Sequence, residues 1–194
     1  MDFGEFIAGF DTFDLIVLFY FAAFFVLGYF QGTIRRLLGI ASILFSFLVA
    51  VNLREPLGAF LASNWRQFHE SYSYMIGFGA VFLTGAIAFT LVIQGFYKTQ
   101  PLFEKQRFAD ELLGGLLGVI QAAIFLGCAI VVLDSHFTVP GIPQSPNELP
   151  LLREFWDALN GSSTATVFRE TLIPAVFSVS GPFIPISIRQ LFPG

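Results

Sequence analysis

The chain has 194 residues, with 10 Lys and Arg against 14 Asp and Glu, a formal charge of −4 and a pI near 5.0. Hydrophobic residues make up 55% of it, charged residues only 12%, and 26 positions are Phe. A soluble domain carries about 25% charged residues, so half that density at a mean hydropathy of +0.74 excludes an ordinary water-soluble globule. The acidic balance, without a basic stripe, excludes nucleic acid as a partner. The single cysteine, Cys128, forbids an intrachain disulfide. Residues 1–14 hold Asp2, Glu5, Asp11 and Asp14 and no basic residue, so no cleavable signal peptide is expected.

All 24 Asp, Glu, Lys and Arg fall outside four stretches, 15–34, 37–53, 71–97 and 112–133. Runs of about 17 to 25 apolar residues match the hydrocarbon thickness of a bilayer when helical. The fold class is therefore an all-α integral membrane protein with four transmembrane helices, spanning about 15–34, 37–53, 73–97 and 112–133. These spans make a membrane domain over 1–135. One helix from residue 15 to 53 would be about 58 Å long, too long for a bilayer, so the chain must turn at Gln31-Gly32-Thr33-Ile34-Arg35-Arg36.

Residues 54–70 place Leu57, Phe60, Leu61, Trp65, Phe68 and Tyr72 on one helical face, with Asn64, Arg66, Gln67 and Glu70 largely opposite. This predicts a helix in the membrane interface, with Trp65 and Tyr72 at headgroup level. The alternative is a connector packed on the bundle. The most charged connector, 98–111, carries Pro101, which can open a helical turn.

Eight of the ten prolines fall after residue 133. Pro140, Pro143, Pro146 and Pro150 prevent a helix between them. Two amphipathic helices then follow: Leu152, Phe155, Trp156 and Leu159, closed by Gly161, and Phe168, Leu172, Val176 and Phe177, opened at 162–164 and strained by Pro174. This Pro-rich tail, 136–194, is expected to carry its short helices on the outer membrane surface, folded back on that surface or on the bundle.

Basic residues accumulate on the cytoplasmic side. With the amino terminus outside, cytoplasmic loops receive Arg35, Arg36, Lys98, Lys105 and Arg107, and outer connectors only Arg54 and Arg66. Both termini are therefore expected outside. Arg35 and Arg36 set this topology and meet anionic headgroups, and membrane lipids are the expected partners.

No carboxylate or Lys lies mid-span, where a proton-coupled transporter keeps one. The candidate functional polar residues are Asp14, an N-cap or first-turn acid of span one, with Gln31, Asp110 and Gln121. Gln121 suits an interhelical hydrogen bond. His69 and His136 stand 67 residues apart without a metal motif. No catalytic residues, metal site or cofactor is expected, and an enzyme is not. Small residues say more: Gly28 and Gly32, then Gly114, Gly115, Gly118 and Ala122, are spaced for close helix packing, within or between chains.

The ordered set Asp14-Leu15-Ile16-Val17-Leu18, Gly28-Tyr29-Phe30-Gln31-Gly32, Arg35-Arg36-Leu37-Leu38-Gly39 and Leu112-Leu113-Gly114-Gly115-Leu116-Leu117-Gly118, followed by Gln121, resembles the colicin V production protein (CvpA) family over about residues 12–135. The resemblance implies a four-span bacterial inner-membrane protein tied to toxin production or export and to envelope homeostasis. The four charge-free spans, the close-packing glycines and the lack of a catalytic constellation lead to the expectation of a non-enzymatic scaffold or accessory factor, with an envelope or export protein as a possible partner. Some relatives fuse such a domain to an extracytoplasmic serine protease, which this chain lacks. The rival expectation is a small channel or transporter, a homo-oligomer built around Asp14, Gln31, Asn52 and Gln121.

Overall fold

The structure is a computed structural model, and it describes residues 12–96, 107–142 and 146–189. The acids Asp2, Glu5 and Asp11, the connector around Pro101 and Pro143 lie outside them. Four helices are long and apolar enough to cross a membrane: α1 (Thr12–Gln31), α2 (Thr33–Asn64), α3 (Glu70–Phe96) and α4 (Arg107–Phe137). α1 packs along α4 and α2 along α3, while α4 also touches α2 and α3. Consecutive helices α1 and α2 barely meet beyond their joint, so α4 is the axis of the bundle.

The joint is a single residue. Gly32 has φ 75°, the left-handed region that favours glycine, and its N–H donates to the Gly28 carbonyl at 3.0 Å. The corner is thus tighter than the six residues the sequence suggested, and Ile34, Arg35 and Arg36 already belong to α2.

α2 runs on for 32 residues, about 48 Å at 1.5 Å per residue. This corrects the separate interfacial helix expected over 54–70. Leu57, Phe60 and Leu61 do share a helical face, but on the continuation of span two. Arg54 and Glu55 do not end a helix that has already left the hydrocarbon, and Pro56, inside it, removes one backbone bond without breaking it. The chain turns at 65–69, and the His69 ring nitrogen accepts from the Ser71 N–H at 3.2 Å to cap α3. Tyr72 is enclosed by the protein: it is 2% exposed, stacked on Phe68, with its hydroxyl accepting from the Leu149 N–H at 3.1 Å.

α4 begins and ends beyond the charge-free stretch. Arg107 Nε reaches Glu111 Oε1 at 2.8 Å in its first turn, and Gly141, at φ 83°, reverses the chain after its end. The tail then forms α5 (Pro150–Asn160), α6 (Ser163–Val167), a widened π turn (Phe168–Leu172), α7 (Ile173–Ser180), a 3-10 turn (Gly181–Phe183) and α8 (Ile186–Arg189). Ser162 caps α6, its hydroxyl accepting from the Ala165 N–H at 3.1 Å. The π turn precedes Pro174, whose ring cannot donate to the carbonyl four residues back and crowds it, so the backbone widens there.

The described tail lies against the bundle. Leu159, Ala165, Phe168, Ile173, Phe177, Ile184 and Ile188 are buried in one core with Phe13, Val17, Phe47, Cys128 and Val131. α7 lies level with the middle of α4, where Leu172, Val176 and Phe177 line a cavity of about 340 Å³ with Leu44, Ile120 and Ala123. The chain then climbs again, and Asn52 Nδ2 donates to the Phe183 carbonyl at 3.3 Å.

A methyl group on Gly28 or Gly118 would collide with the carbonyl of Gly114 or Phe24, respectively, so the α1–α4 crossing is backbone on backbone. Gly118→Leu is expected to cost at least about 1–3 kcal/mol, read as a lower melting temperature in detergent. Gly95→Leu, with nothing within 4 Å, should leave it unchanged.

Candidate functional site

Polar side chains gather in two places, one at each end of the bundle. The first lies where the tail meets the end of α4. Asp134 is 1% exposed, and its carboxylate receives Arg169 Nε at 2.8 Å, Arg169 Nη2 at 2.7 Å and Trp156 Nε1 at 2.9 Å. The guanidinium fork thus binds both carboxylate oxygens, the strongest geometry for such a pair. Arg169 Nη1 also donates to Asn160 Oδ1 at 2.7 Å, tying α5 to the π turn.

Two residues further along α4, His136 is 2% exposed. Its Nδ1 lies 2.7 Å from Ser71 Oγ and its Nε2 lies 3.4 Å from Glu148 Oε1. Arg153 Nη2 donates to the other Glu148 oxygen at 2.8 Å. Ser71 Oγ also sits 2.8 Å from His69 Nδ1, so one hydroxyl bridges two imidazoles. A hydroxyl, an imidazole and a carboxylate in line are the groups of a base-activated nucleophile. Here the carboxylate also carries a guanidinium and the imidazole is enclosed, and the line joins α3, α4 and the 146–149 turn.

Asp14 completes this end. It sits in the first turn of α1, yet its carboxylate accepts from the Thr164 N–H at 3.1 Å, the Thr164 hydroxyl at 2.7 Å and the Ser163 N–H at 3.4 Å. Of the two readings of Asp14, the first-turn acid of its own span holds, and its carboxylate also serves the tail. It faces the amino end of α6, where unpaired N–H groups favour an anion.

The second gathering is a cavity of about 430 Å³ at the Gly32 end. Gln31, Arg35, Arg36, Thr90 and Gln121 supply its polar lining. Arg36 is 5% exposed. Its Nη1 donates to Gln121 Oε1 at 2.8 Å, and its guanidinium carbon lies 5.7 Å from the centre of the Phe24 ring. Its Nε has no hydrogen-bond partner among the described residues.

The residues singled out in the sequence thus separate into groups. Gly28, Gly32, Gly114 and Gly118 meet at the α1–α4 crossing within one chain, with Gly115 against the Phe25 ring. Asp110 lies nearby, its carbonyl accepting from the Thr33 hydroxyl at 3.0 Å and its carboxylate against Gly32, at the amino end of α2. Gln31 and Gln121 share the cavity, whereas Asp14 is at the far end of α1 and Asn52 bonds Phe183. Within one chain these four are not gathered at one site. His69 and His136 do not stand alone but converge on Ser71. Among the described residues, no group of three or more His, Cys, Asp or Glu is placed to hold a metal ion. Reasoning from sequence missed Ser71, Glu148, Arg153, Trp156 and Arg169. The available signal was the pair Asp134 and His136, polar residues ending a long apolar run.

A model of the colicin V production protein matches residues 13–172. The chain belongs to the colicin V production protein family. No curated protein and no solved structure matches it. The match extends past the membrane spans and takes in Asp134, His136, Glu148, Trp156 and Arg169, so it covers the docked tail as far as the π turn and leaves α7 and α8 outside. Membership supports a role in toxin production. The family is not a known enzyme family, and with four apolar helices this member is a multi-pass membrane protein.

Removing one partner of a buried ion pair leaves a bare charge, at a cost of about 3–5 kcal/mol. Arg169→Met should therefore loosen the tail, measured as faster proteolysis in the 142–163 region. Adding Asp134→Asn to it should restore much of the protection.

Proposed function

We propose that this colicin V production family member is a non-enzymatic scaffold or accessory factor of the bacterial inner membrane. It assists toxin production or export and envelope homeostasis, by holding an envelope or export protein or a second copy of itself. The observation that carries this reading is what the buried polar groups bind. Asp14, Asp134 and His136 all bond the tail or the turn leading into it, so they build one fixed surface at the His136 end. Both termini lie on the outer side, because the alternation of spans then puts five basic residues in cytoplasmic loops against two outside. The 146–149 turn and α5, docked at that end, thereby face the periplasm, where an envelope partner would meet them.

The test is complementation of cells lacking the protein, with secreted toxin activity measured at matched membrane levels of each variant. Arg169→Met should lower secretion by loosening the tail, and Arg169→Met with Asp134→Asn should recover part of it. Labelling of Ser71 by a fluorophosphonate, or turnover of a substrate by the reconstituted protein alone, would overturn the non-enzymatic reading.

The Gln31, Arg36 and Gln121 cavity favours a second reading, a small oligomeric channel or transporter whose path begins there. Solute flux in liposomes that disappears in Gln121→Leu would establish it, and absence of flux across a broad solute panel would remove it.

A further inference from the structure

We propose that the Arg36 cavity is a binding site for one anionic phospholipid, with the phosphodiester on the Arg36 guanidinium and the first part of an acyl chain along α3. Arg36 is a charge in a setting where charges are expensive. It forms no ion pair among the described residues. A buried charge normally keeps a partner, and here the nearest acceptor is the neutral amide oxygen of Gln121. The fork has five N–H donors. Nη1 is engaged and Nε is without an acceptor. What the site lacks is an anion with several acceptor oxygens.

The rest of the lining says which kind of anion. Arg35 adds a second cation, so the pocket complements negative charge. The remaining walls are mostly apolar, including Ile43, Leu83, Ile87 and Leu91. Of these, Leu83, Ile87 and Leu91 are 48%, 60% and 62% exposed on the outside of the bundle. The cavity is therefore continuous with the surface that faces lipid. A free inorganic anion would match the guanidinium but leave this apolar wall bare, whereas an amphiphile satisfies both. The inference takes the headgroup role expected of Arg35 and Arg36 to one site, and it stands whether or not the toxin role does.

The experiment is native mass spectrometry of the full chain in detergent, titrated with dioleoyl phosphatidylglycerol, dioleoyl phosphatidylcholine or inorganic phosphate, with melting temperature measured in parallel. One phosphatidylglycerol should be retained at concentrations at which phosphatidylcholine is lost, and it should raise the melting temperature. Arg36→Gln should weaken that adduct at least tenfold, and Arg66→Gln, at the exposed α2–α3 turn, should not. Ala86→Leu narrows the cavity from α3 without touching a charge and should also weaken the adduct, which covers the case that Arg36→Gln fails to fold. Equal retention of the two lipids, or an adduct indifferent to both cavity variants, would overturn the site. Stabilisation by inorganic phosphate equal to that by the lipid would overturn the lipid assignment in favour of a soluble anion.

Discussion

The contact on which the bundle depends is the approach of two backbones with nothing between them. In lipid there is no hydrophobic gain from pressing apolar helices together, so packing and polar contacts must supply the association. Where α1 crosses α4, Gly28, Gly114 and Gly118 remove the side chains that would hold the helices apart. The Tyr20 hydroxyl reinforces the same pair by donating to the Ala122 carbonyl at 3.1 Å. Since α1 has almost no other partner in the membrane, its place is decided there. α4, held by α1 on one side and by α2 and α3 on others, becomes the post to which the tail is attached.

The attachment follows from the cost of buried charge. Asp134, His136 and Asp14 lie among apolar side chains, and each is matched by a donor or ion from a distant part of the chain. Bare, any of these groups would disfavour the folded state strongly. Matched, they select one docking geometry for a segment rich in proline, in which regular hydrogen bonding is interrupted. Apolar contacts of Phe168, Ile173 and Phe177 supply the burial, and the polar contacts decide where it occurs.

The four spans were legible because charge is excluded from the hydrocarbon, leaving gaps in the sequence that no globular protein of this size keeps. The glycine spacing was legible for a related reason, as only missing side chains permit so close a crossing. The extent of α2 was not, because Arg54 and Glu55 mark where the hydrocarbon ends and not where the helix ends. Tyr72 looked interfacial from its residue type, and is buried because the 146–149 turn covers it. The polar sites were hidden for another reason. Arg169 meets Asp134 at 35 residues' separation and Thr164 meets Asp14 at 150. A single sequence carries no record of which distant charge answers which.

The helix order has a consequence for how the chain is made. α1 is joined to α2 by one glycine but packs on α4, which begins 76 residues after α1 ends. During synthesis the first span must wait in lipid, its glycine face uncovered, until the fourth has been threaded. The acid in its first turn waits longer, until residues 163 and 164 emerge. Assembly thus runs as a clasp: the first span stays open until the fourth span and residues 163 and 164 have been made, and these close it.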